Sequence, residues 1–122
     1  MTVTVFVPAD PQAYEDMILG VQDFQKAAAM PFVKQSVVVP YSDDLLYASA
    51  EAAAREAGLP LIGPAPIVYL KVDNGIAYVL LDIDRDGWAG VGLTRIRCGI
   101  IVEKTLLQFK NVKRVHFDEA PP

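Results

Sequence analysis

Asn74-Gly75, set between two apolar runs, is the feature that most narrows the folds open to this chain. Asn and Gly both tolerate the positive φ that the tight turn of a β-hairpin demands. The pair predicts that Ile67–Val72 and Ile76–Asp84 are antiparallel neighbours. In the second run Ala77, Val79, Leu81 and Ile83 share one face, and Tyr78, Leu80, Asp82 and Asp84 the other. Everything after Ile67 reads as β, with strand over Val91–Val102, bent near Gly99, and over Val112–Phe117.

The N-terminal half reads differently. Thr2–Val7 alternates, with Val3, Val5 and Val7 on one face, and predicts a first strand. Asp10-Pro11 then opens a helix, Asp as the cap and Pro at the first helical position. Tyr14, Met17, Ile18, Val21, Phe24 and Ala28 form its buried stripe, and Pro31 ends it. Ser36–Val39 is a short β-branched strand expected to be buried on both faces. Ser42 is read as the cap of a second, alanine-rich helix that Gly58 and Pro60 stop, and Leu59–Pro66 as a loop. The order is βαβα followed by an antiparallel meander. It predicts an α+β domain, with mixed α/β as the near variant, and two helices packed on one side of a mixed sheet.

The 122 residues are read as one domain over 1–122, with 118–122 a frayed tail. Apolar residues make up 52% and charged residues 21%, which excludes disorder. No apolar run reaches the roughly 18 residues of a spanning helix, and Met1–Pro8 reads as strand rather than signal peptide, so no membrane is expected. The single cysteine, Cys98, rules out an intrachain disulfide and fits a cytoplasmic location. The net charge of −4 is polarised: residues 1–60 hold eight acids against three bases, and residues 61–122 seven against eight.

Asp82-Ile-Asp84-Arg-Asp86-Gly87 is the one stretch with the look of a chemical device. It resembles the first half of an EF-hand calcium loop, with side-chain oxygens at positions 1, 3 and 5 and Gly at 6. Leu93 stands where the closing bidentate Glu belongs, and the flanks read as strands. A hairpin turn at Asp86-Gly87, with Asp82 and Asp84 as the polar end of a strand, accounts for the same residues and is preferred. Millimolar calcium is therefore expected to leave the melting temperature unchanged. A site filled to a hundred times its dissociation constant would add about 2.7 kcal/mol. A clear calcium-dependent rise in Tm, abolished by Asp84→Ala, would refute the turn.

Other chemistries fail on their residues. Both strand-to-helix junctions, Pro8-Ala-Asp-Pro11 and Pro40-Tyr-Ser-Asp-Asp44, carry acids where a phosphate loop needs glycine and free N–H groups. Zinc needs several His and Cys ligands, and the chain has one of each. Strand alternation turns His116 to solvent and buries Cys98 beside Ile96, Ile100 and Val102, which separates the only nucleophile–base pair on offer. No cofactor is expected.

Two further groups carry binding potential. Arg95, Arg97, Lys110, Lys113 and Arg114, if aligned, form a basic interaction patch; the pI of 4.8 disfavours nucleic acid as its partner. Tyr41, Tyr47, Tyr69, Tyr78 and Trp88 are candidate pocket residues for a small molecule. The leading expectation is a small non-catalytic binding protein of the inhibitor, immunity or assembly type. It would act through protein–protein contacts with a partner or with a second copy of itself, as a dimer or higher homo-oligomer. The alternatives are a small-molecule-binding or catalytic domain with an aromatic pocket, and weak calcium binding.

Overall fold

A computed structural model of the chain describes residues 1–21, 23–56, 67–81 and 91–117, the side chains of 91–95 excepted. The fold is α+β, and the hairpin signal holds. Strands β3 (Ile67–Asp73) and β4 (Ile76–Leu81) pair antiparallel, with Asn74 and Gly75 at φ 52° and 79°. Ala77, Val79 and Leu81 are buried along β4, as their alternation predicts.

Strand β1 (Thr2–Pro8) also forms as read, with Val3 and Val5 buried. The single helix expected next is broken. Helix α1 (Pro11–Glu15), capped by Asp10, passes into a π-helical turn over Asp16–Val21, and α2 (Phe24–Ala29) restarts after it. Gly20 weakens the helix at the break. Asp23 offers a new start, its carboxylate accepting from the Lys26 N–H at 3.0 Å. Tyr14 and Ile18 remain fully buried, while Val21, assigned to the same stripe, is exposed.

Strand β2 (Phe32–Val38) is longer than expected and lies on the surface, with Val33 to Ser36 all exposed, instead of buried on both faces. Helix α3 (Leu45–Glu56) is capped by Asp44, whose carboxylate accepts from the Tyr47 N–H at 3.0 Å. Ser42, read as that cap, instead accepts from the Asp44 N–H one step earlier.

The largest correction concerns Val91–Val102, which is helix, not strand. Helix α4 (Val91–Leu106) buries Cys98, Ile101, Val102, Thr105 and Leu106, a spacing of three and four residues. The two-residue alternation of Ile96, Cys98, Ile100 and Val102 shares members with that stripe, so both periods fit the same letters. With a helix there, the meander becomes a crossover. Strand β5 (Arg114–Phe117) returns parallel to β4, as a long connection permits and a tight turn does not. Gly99 of α4 faces the Phe117 ring of β5, where a Cβ would make ordinary contact at 3.6 Å.

The strands form two sheets rather than one: β1-β2, antiparallel, and β3-β4-β5, mixed. The helix pair joins them, α3 packing on β1 and β3, and α4 on β1 and β5. Ala50, Ala53 and Ala54, fully buried on α3, allow this close approach. The Tyr47 hydroxyl donates to the Ile67 carbonyl at 2.9 Å and ties α3 to β3. No helix among the described residues is long and apolar enough to cross a membrane.

Candidate binding surface

The free edges of the β1-β2 sheet are treated unequally. On β1 the Phe6 N–H donates to Thr105 Oγ1 at 3.0 Å, and Gln108 Nε2 donates to the Thr4 carbonyl at 2.8 Å. The C-terminal end of α4 and the turn after it thus cover that edge with side-chain partners, as a protected edge requires. The even-numbered residues of β1 point outward to α4 and the odd-numbered ones inward to β2. Register carries this parity across. Met1 and Val39 exchange both backbone bonds, at 2.7 and 2.8 Å, and Val3, Val5 and Val7 face Val37, Gln35 and Val33. The N–H and C=O groups of Phe32, Lys34, Ser36 and Val38 consequently point away from the sheet.

No described element covers them. Phe32 is anchored at one end, its ring 5.8 Å from Tyr14 and 5.5 Å from Lys104 Nζ. Beyond it the strand is open, with Val33 47% and Val38 82% exposed. Sequence reasoning placed no functional residue here. The available signal was the pair Pro31 and Pro40 bracketing a β-branched run that carries Lys34, marks of a managed edge strand.

The basic segment is divided by the fold. Arg97 lies on α4, its side chain 13% exposed and Nε paired with Glu15 Oε1, so it is not part of an exposed patch. Arg97 Nη1 is buried without a partner. The Arg97 main-chain carbonyl accepts from the Tyr14 hydroxyl at 2.8 Å. Burial pushes that hydroxyl's pKa far above its usual range, the Arg97 charge only partly offsetting it. The Arg95 side chain lies outside the described residues, although its backbone is in α4. Lys110, Lys113 and Arg114 are exposed, in and after the turn that follows α4. Lys113 and Arg114 line a cleft of about 370 Å³ with Glu103, Leu107, Val115 and His116.

Burial raises the Glu103 pKa, and Lys104 lowers it by less. A raised carboxyl pKa means that the folded state takes up its proton before the unfolded chain does. The charged form therefore costs stability above the folded pKa, and this penalty disappears as pH falls below the unfolded value. Glu103→Gln is expected to raise Tm at pH 7, with the gain fading below about pH 4. A gain independent of pH would assign the effect to packing.

The aromatic residues do not converge on one pocket. Tyr41 and Tyr47 share a cleft of about 200 Å³ with Ser42 and the Glu51–Arg55 ion pair. That is below the roughly 300 Å³ at which small-molecule sites usually begin. Tyr69 lies on β3, and Tyr78 is buried on β4 with its ring 5.8 Å from His116, edge to face. Trp88 lies outside the described residues, as do Asp82, Asp84 and Asp86 with the turn and metal readings that rest on them. No cluster of potential metal ligands exists among the described residues. His116, expected to face solvent, is half-buried, and Cys98 is buried on α4 rather than on a strand. Compared with protein-family models, curated proteins and solved structures, the chain matches none.

Proposed function

We propose that this chain acts by binding protein rather than by catalysis, and that it binds by strand addition at β2. The open edge carries the reading. Four residues present their backbone donors and acceptors outward, beside exposed valines, while the opposite edge of the same sheet is covered by α4. Main-chain pairing at such an edge supplies affinity, and the flanking side chains select the partner.

A second reading rests on Lys113 and Arg114, which share one cleft and suit an acidic partner whose encounter would be salt-sensitive. One experiment separates the two. The full chain, Ser36→Pro, and Lys113→Glu with Arg114→Glu are each used to capture protein from extracts of the source cell. Strand addition predicts a defined partner retained by the charge-reversed variant and lost with Ser36→Pro. Loss only on charge reversal would transfer the binding face to the cleft. Capture indifferent to both substitutions would end both readings.

A further inference from the structure

The open edge is complementary to itself, and we infer that its occupant is a second copy of this chain, paired β2 to β2 about a two-fold axis at Gln35. This deepens the strand-addition reading and rests on it. Because the even-numbered residues of β2 point outward, an antiparallel copy must set even opposite even. Three registers are then central enough to use most of the strand. One places Lys34 opposite Lys34 of the second copy, and like charges directly opposed are unfavourable. A second places Ser36 opposite Ser36 and pushes Phe32 out to Pro40, which cannot donate to a ladder.

The third places Lys34 opposite Ser36, Phe32 opposite Val38 and Val33 opposite Val37, each pair occurring twice by symmetry. It takes the two lysines out of direct opposition, to a diagonal, and gives the exposed Val33 and Val38 apolar partners. It also joins two two-stranded sheets into one of four strands, β1-β2-β2-β1, whose outer edges are the β1 edges that α4 already covers. The assembly therefore closes at two copies. A parallel in-register stack, which would propagate, again sets Lys34 beside Lys34, and Pro31 and Pro40 bound the length available. One strand pairing is smaller than a standard interface of about 800 Å² per partner, so the dimer should form and dissociate in the micromolar range.

The test uses the purified full chain. Light scattering across the micromolar range is expected to show the mass rising from 13.3 kDa to twice that value. Ser36→Pro should stay monomeric with its fold intact, since the N–H it removes points away from β1. Should that variant not fold, Ser36→Lys provides the block, because it sets a lysine opposite Lys34 in each of the two symmetric pairs. Position 35 falls at a non-hydrogen-bonded pair on the axis, with Cα atoms about 4.5 Å apart, within disulfide reach. Gln35→Cys should therefore oxidise to a covalent dimer, whereas Val33→Cys should link only when mixed with Val37→Cys. Cys98 is buried and stays out of the reaction.

A monomer throughout, or a dimer that ignores both Ser36 variants and does not link through position 35, overturns the inference. A monomeric chain that still captures another protein through β2 would overturn self-pairing and leave strand addition standing. A dimer indifferent to the Ser36 variants, together with capture indifferent to Ser36→Pro, would remove both.

Discussion

Arg97→Glu is expected to lower Tm by roughly 10–20 °C. The Arg97 side chain is only 13% exposed and that of Glu15, its partner, 23%, so neither is free to relax into water. Breaking a buried pair costs about 3–5 kcal/mol, because the surviving charge loses its counter-ion while remaining desolvated. The residual exposure argues for the lower end, about 3 kcal/mol, which is still a large share of the roughly 5–15 kcal/mol that stabilises an ordinary domain. From the sequence, Arg97 sits on a strand face and the same reversal should leave the fold intact. Its place on α4 inverts that expectation. Thermal unfolding of Arg97→Glu and of Arg97→Glu with Glu15→Lys decides the cause. The second substitution should recover part of the loss if the defect is electrostatic. No recovery would mean that Arg97 matters through packing and not through its charge.

Thr105→Val is the second substitution with a large expected effect. Thr105 is fully buried, and its hydroxyl is the acceptor for the Phe6 N–H at the outer edge of β1. Valine keeps the volume and removes the acceptor, leaving a part-buried backbone donor unpaired at about 1–3 kcal/mol. Thr105→Ser keeps the hydroxyl and loses only a methyl group, so it should cost clearly less than Thr105→Val. Denaturant titration of the two variants provides the comparison. The opposite ranking would show that α4 holds β1 by apolar contact and not by capping its edge. The pair also bears on β2: the sheet exposes one edge because Thr105 and Gln108 occupy the other.

Local signals were legible because they act through immediate neighbours. Asn74-Gly75 produced its hairpin, Asp10 its cap, and the valines of β1 their buried face, since turn geometry, capping and alternation need only a few adjacent residues. The α+β class followed from the order of such segments. The sequence also carried the cost of Gly20 to a helix, though not the point at which Asp23 would restart it.

Other features depended on residues far apart in the chain. Residues 96–102 satisfy a period of two and a period near 3.6 with the same letters, so only packing against α3, β1 and β5 selects the helix. The partner of Arg97 lies 82 residues away on α1, and no periodicity announces it. The exposure of β2 follows from a helix that covers β1 instead, through contacts 99 and 104 residues apart. Sequence determined which residues can form an edge strand. Tertiary structure alone decided which edge was left open, because edge coverage is a property of the neighbour and not of the strand.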